Sequence, residues 1–159
     1  MTTYNPATEL LELLKERRLT VSTAESCTGG NIAHLITLIP GSSDVFMGGI
    51  VSYSNDVKHR VLGVGLDILE ANGAVSEPVV EAMTAGACRA CATDCAVATS
   101  GIAGPGGAVP GKPVGTVWIA ARCHDRVVAR KHLFPGNRAE VIAQASETAL
   151  KMLIDLLNS

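Results

Sequence analysis

Apolar positions along the chain alternate between two spacings. After Asn5-Pro6, Leu10, Leu13 and Leu14 recur three and four residues apart, while Glu12, Lys15, Glu16 and Arg17 fill the positions between them. That is the stripe of an amphipathic helix, opened by a capping residue and a proline at the first helical position. LTVSTA (19–24) reads as a short strand, and Asn31 to Ile39 as a helix stopped by Pro40-Gly41. Residues 45–54, VFMGGIVSYS, read as a second strand in which Gly48-Gly49 predicts a bulge or a close backbone approach. Asn55 is placed to cap a short helix over 56–62. Residues 67–72 add a further turn or two, and Ser76-Glu77-Pro78 opens a longer helix to about Ala92. CAVATS (95–100) has the continuous apolar character of a buried strand. GIAGPGGAVPGKP (101–113) is too rich in Gly and Pro for helix or central strand, so it is a loop. VGTVWIAARC and RVVARKHLF flank His124-Asp125 as a hairpin, and Asn137 with Glu140 forms a capping box for a helix to about Leu157.

Strands and helices that interleave in this way predict an α/β fold: a mixed, mostly parallel sheet of about five strands with helices on both faces. A length of 159 residues predicts one domain over 1–159. Hydrophobic residues make up 47% of the chain but aromatics only 3%, so the core is expected to be aliphatic and rich in alanine. The net charge is −2 and no basic tract is present, which speaks against a nucleic-acid partner. No apolar run approaches the ~18 residues of a membrane span, and the first residues lack the basic start of a leader. Five cysteines without such a leader read as reduced thiols, so a cytoplasmic protein is expected.

Several motifs suggest chemistry that their context does not support. GGAVPGK (106–112) matches the first seven positions of a P-loop, but Pro113 stands where a magnesium-binding hydroxyl is needed and a strand follows instead of a helix. Cys88, Cys91 and Cys95 have the spacing of a metal or iron–sulfur fragment. They also fall at i, i+3 and i+7 of one helix face, where cysteine packs as a small apolar residue, so no metal site is assigned. Tyr53 and Lys58 are one residue too far apart for the Tyr–Lys pair of dehydrogenases, and no dinucleotide fingerprint follows the first strand. Ser26 lies in the turn between the first strand and the helix at 31–39. It reads either as an ordinary cap or as a nucleophile whose oxyanion would be met by backbone N–H groups and the helix N-terminus. Cys27 beside it is a second possible nucleophile, since thiolates are favoured at helix N-termini.

Taken together, AESCTGG (24–30), VSYSNDVKHRVLGV (51–64), AVSEPVVEAM (74–83), TSGIAGPGG (99–107) and KPVGTVWIA (112–120) resemble the CinA C-terminal domain family, from about residue 6 to the end. The chain is similar to the family's stand-alone form. The resemblance implies a three-layer α/β/α sandwich and an amidohydrolase that deamidates nicotinamide mononucleotide without a cofactor. By position it implies Ser26 as nucleophile, Lys58 as general base and Tyr53 as an assisting hydroxyl. Thr28, Gly29, Gly30, Thr99, Gly101, Gly104 and Gly106 are the candidate substrate contacts, with the loop from Gly101 to Gly107 offering backbone N–H groups to the 5′-phosphate. Arg138, at the start of the last helix, is the candidate cation for the 5′-phosphate. Lysine serves as a base only if burial or a neighbouring cation lowers its pKa, and His59 and Arg60 are adjacent in sequence. Ala108 to Gly111 replaces a more polar stretch of the family's loop. A homodimer is the expected assembly.

Overall fold

A computed structural model describes residues 3–159. In chain order its elements are α1 (Pro6–Arg17), β1 (Val21–Glu25), α2 (Asn31–Thr37), β2 (Phe46–Val51), α3 (Asn55–Arg60), α4 (Leu66–Asn72), α5 (Glu77–Cys91), β3 (Cys95–Gly101), β4 (Thr116–Cys123), β5 (Arg126–Leu133) and α6 (Arg138–Asn158). The capping signals at α1 and α6 act as predicted. Asn5 accepts from the Ala7 N–H, and Asn137 and Glu140 form the reciprocal box. At α3 the cap is Ser54, whose hydroxyl accepts from the Val57 N–H, rather than Asn55, which is already helical.

The sheet order is β2-β1-β3-β4-β5. β1 runs parallel to both β2 and β3, β4 is antiparallel to β3, and β5 is antiparallel to β4. Four strands therefore point one way and β4 alone is reversed, which is the mixed, mostly parallel sheet expected. The register slips between Val21 and Ser22, so the bulge falls at Met47, just before the glycines. Gly49 is the close approach: a Cβ there would lie 2.4 Å from Thr23 Oγ1.

Alternation along the strands separates two cores. Val21, Cys95, Val97, Val117 and Ile119 pack with Leu10, Leu14, Ile32, Val141 and Leu153 of α1, α2 and α6. On the opposite face Ala24, Ala96, Ala98 and Ala120 meet Val79, Val80, Met83 and Ala87 of α5. The alanine face draws α5 close to the sheet, and Gly86 draws it close to the chain after α3. A Cβ at residue 86 would lie 2.0 Å from the Leu62 carbonyl oxygen, which also accepts from Arg89 at 2.9 Å.

One part of the cysteine reading needs correction. The chain leaves α5 at Ala92, whose φ is 53°, and Cys95 opens β3. Cys88 packs in the α5 layer and Cys95 in the layer of α1 and α6, so the three thiols share no helix face.

Candidate active site

The loops that follow β1, β2 and β3 meet at the carboxyl end of the parallel strands, where open α/β sheets bind ligands. Ser26 is the first residue beyond β1. Ser52 and Tyr53 follow β2 and lead into α3, which turns the Lys58 side chain back towards the sheet. Lys58 Nζ lies 2.9 Å from Ser26 Oγ, 2.8 Å from the Ser52 carbonyl oxygen and 3.2 Å from the Tyr53 carbonyl oxygen. No carboxylate pairs with it among the described residues. With only 1% of its surface exposed, the ammonium form is poorly solvated, and burial pulls its pKa down from 10.5 to about 8. His59 and Arg60 take no part. The His59 ring meets the Val64 carbonyl at 2.8 Å, and Arg60 pairs with Asp56 in solvent.

Cys27 is also buried, and desolvation pushes its thiol up to about 11. A thiolate is therefore scarce at neutral pH, whereas about a tenth of Lys58 is neutral there, far more than for an ordinary lysine. The environment distinguishes the two adjacent nucleophile candidates in favour of Ser26.

The helix N-terminus beside Ser26 is not free for an anion, contrary to expectation. Glu25, 1% exposed, turns its carboxylate onto it. Oε1 accepts from the Ile32 N–H at 2.9 Å and Oε2 from the Ala33 N–H at 3.0 Å. Thr28 Oγ1 donates to Glu25 Oε1 at 2.6 Å and lies 2.8 Å from Thr99 Oγ1. Thr28 and Thr99 thus bond within the protein rather than into the cleft. Gly29 and Gly30 make the turn from β1 into α2, with φ of 58° and 100°, values that favour glycine.

A cavity of about 270 Å³ opens over the Ser26–Lys58 pair. Gly101, Gly104, Gly106 and Arg138 line it, as do Asn55 and the apolar Ala74, Val75 and Ile102. The Arg138 guanidinium bridges its mouth, donating to the Gly104 carbonyl at 2.7 Å and to the Tyr53 hydroxyl at 2.9 Å. The exposed Tyr53 ring therefore faces Arg138, and only the main-chain carbonyl of Tyr53 meets Lys58. A larger cavity, about 520 Å³, lies between residues 3–6, α2 and α6, but it holds no nucleophile beside a base. Among the described residues no cluster of His, Cys, Asp or Glu is arranged to hold a metal.

The structure brings Ser26, Lys58 and Arg138, all named from the sequence, around one cavity. Glu25 and the Ser52 carbonyl were not singled out. A glutamate at a strand end, seven residues before a helical N–H, gives a faint capping signal, and a main-chain acceptor gives none.

An α/β/α sandwich with a serine and a buried lysine in contact at its strand ends defines the class of the protein. The sequence pattern of the CinA C-terminal domain matches residues 4–157, and the chain belongs to that family. It is 50% identical over 143 residues to the nicotinamide-nucleotide amidohydrolase PncC of Escherichia coli, a match covering 89% of this chain and 87% of that protein. It is 45% identical over 144 residues to a CinA-like protein of Thermotoga maritima, covering 91% of this chain and 35% of that relative. The chain thus spans about a third of the length of such relatives. Among solved structures, the competence/damage inducible protein CihA of Agrobacterium tumefaciens superposes with a TM-score of 0.93 at 40% identity, covering 100% of both chains. A CinA superfamily protein of Klebsiella pneumoniae superposes with a TM-score of 0.94 at 34% identity, covering 99% of both.

Proposed function

We propose that this chain hydrolyses the carboxamide of nicotinamide mononucleotide, giving nicotinate mononucleotide and ammonia, with Ser26 as nucleophile and Lys58 as general base. The observation that carries the reading is the 2.9 Å contact between Ser26 Oγ and a Lys58 amine whose pKa burial lowers to about 8. The activity named for the Escherichia coli relative supports the substrate class.

Neutral Lys58 takes the Ser26 proton as Oγ attacks the carboxamide carbon. The proton passes to the leaving nitrogen as the C–N bond breaks and ammonia departs. Lys58, neutral again, then takes a proton from water as the water oxygen attacks the acyl-serine ester. Collapse of that intermediate returns the proton to Ser26 and releases the carboxylic acid, which ionises to the carboxylate product by giving its proton to water. The oxyanion requires donors that the fold has not already used. Thr28 and Glu25 occupy the first three N–H groups of α2, so we assign this role to the Cys27 N–H, which follows the nucleophile and has no main-chain partner among the described residues. The N–H groups of Ala103, Gly104, Gly106 and Gly107 are likewise without main-chain partners there. With Arg138 they suit the 5′-phosphate, and the Ala74, Val75 and Ile102 wall suits a pyridine ring.

No helix among the described residues is long and apolar enough to cross a membrane, and the five cysteines are free thiols. We place the reaction in the cytoplasm, where free thiols stay reduced. The test is ammonia release from nicotinamide mononucleotide measured beside nicotinamide, glutamine and a simple ester. Release from the mononucleotide alone is expected. Preference for another amide or the ester would keep the dyad and replace the substrate. No turnover of any of them would leave a nucleotide-binding module.

A further inference from the structure

We infer that Glu25 is a positioning residue for the dyad, locking the turn that presents Ser26 and, through its own main chain, the strand end that holds Lys58. The inference rests on the assignment of Ser26 and Lys58 as nucleophile and base. Glu25 is a carboxyl group buried to 1% exposure with no Lys or Arg paired to it among the described residues. Burial of such a group is costly unless donors surround it. Three do, from Thr28, Ile32 and Ala33, and all lie in the segment that begins with Ser26. Both oxygens accept and neither donates. The turn is tied to β3 as well, because Thr28 Oγ1 meets Thr99 Oγ1 and the Ser26 N–H donates to the Thr99 carbonyl at 3.0 Å.

The second arm runs through the backbone. The Glu25 carbonyl accepts from the Ser52 N–H at 2.7 Å and the Ser52 hydroxyl at 3.3 Å. The Ser52 carbonyl in turn accepts from Lys58 Nζ at 2.8 Å. One residue thus fixes the chain on both sides of the 2.9 Å Ser26–Lys58 contact while touching neither reacting atom. Glutamine cannot replace it isosterically, since its NH2 would face either the Ala33 N–H or the Thr28 and Ile32 donors.

The test compares wild type, Glu25→Gln and Thr28→Val by four measurements. These are kcat and KM for deamidation, equilibrium binding of nicotinate mononucleotide, thermal unfolding, and the rate at which a fluorophosphonate labels Ser26. Labelling forms a Ser26 Oγ–P bond, expels fluoride and needs the base but not the substrate. In Glu25→Gln, kcat and labelling should fall together by about 30-fold or more, with KM and product binding within about threefold. Thr28→Val keeps the carboxyl group and both helix N–H bonds, so its fall should be about fivefold. It carries the test alone where Glu25→Gln does not fold. A folded Glu25→Gln, or a Thr28→Val, that labels and turns over like wild type would overturn the inference. So would product binding that weakens in proportion to kcat, which would mark a general loosening. A wild type that labels but leaves the mononucleotide intact overturns the substrate only, and labelling still decides Glu25. A wild type that neither labels nor turns over ends the dyad and the role of Glu25 together.

Discussion

At the amino ends of β1 and β3, Thr20 and Asp94 satisfy one another. Asp94 Oδ2 accepts from the Thr20 N–H at 2.9 Å and from the Thr20 hydroxyl at 3.1 Å, and the Asp94 N–H donates to Thr20 Oγ1 at 3.1 Å. At the carboxyl ends of the same strands, Lys58 is buried more deeply among neutral acceptors and faces an open cavity. The first arrangement is a local exchange at a partly exposed carboxylate, with His124 Nε2 also 3.9 Å from Asp94 Oδ1. The second leaves the charge of Lys58 uncompensated, and the lowered pKa is the measure of what remains. Burial of polar groups does not by itself distinguish the end of this sheet proposed to do chemistry from the other. An amine without a counter-ion, beside a hydroxyl and under a cavity, does.

The sharpest way to break this contrast is to remove the dyad. Ser26→Ala and Lys58→Ala should each lower kcat/KM by about 10³-fold or more, with the double variant little worse, if the two act as the unit proposed. Steady-state kinetics on folded variants checks this, and additive losses would separate the pair. Arg138→Ala comes next. KM for the mononucleotide should rise about 10- to 100-fold while kcat changes far less, since phosphate binding is shared by ground and transition states. An unchanged KM would remove Arg138 from the substrate site.

The third effect concerns stability and pH together. Folding lowers the Lys58 pKa from 10.5 to about 8, so between those values the unfolded chain binds more protons than the folded one. The penalty of burying the ammonium is therefore fully present below pH 8 and is relieved as the pH rises towards 10.5. Its ceiling is about 3 kcal/mol. Lys58→Met should be inactive yet more stable than wild type at pH 7, by roughly 1–2 kcal/mol once the orphaned carbonyls are counted. Denaturant unfolding should show that advantage shrink as the pH approaches 10.5, and in wild type kcat/KM should rise with pH through a limb near 8. At the opposite end, Thr20→Val should cost about 1–2 kcal/mol of stability and leave kcat/KM within about twofold. Smallest of all, Cys27→Ala should keep most of the activity, because its thiol, at about 11, is protonated at working pH. A dead but folded Cys27→Ala beside an active Ser26→Ala would reverse the assignment.

The order of elements was readable because each carries its own local signal. Asn5-Pro6, the Asn137–Glu140 box and the apolar run at 95–100 are determined within a few residues. Ser54 and Asn55 show the limit, since either can cap and the choice depends on where β2 releases the chain. Cys95 was misplaced because spacing by sevens extends across a helix end that Ala92 closes. At the site, types of residue were visible but directions were not. Tyr53 was expected near Ser26 by its side chain and meets Lys58 through its carbonyl. The depressed Lys58 pKa comes from burial, which the neighbouring His59 and Arg60 in the sequence could not reveal.

The contact between Gly86 and the Leu62 carbonyl has a consequence for how this protein would wear out. α3 has six residues, too few to hold a helix in water unaided. It is anchored at two points, by the bonds of Lys58 to the strand ends and, just beyond its last turn, by the approach of Leu62 to Gly86 of α5. Amide hydrogen exchange should then find residues 55–62 opening at lower free energy than the central strands. Each opening would expose Lys58 to solvent and return it to an ordinary, protonated amine. Heat should therefore silence the chemistry proposed for Lys58 some degrees before the molecule melts, and Gly86→Ala should widen that interval.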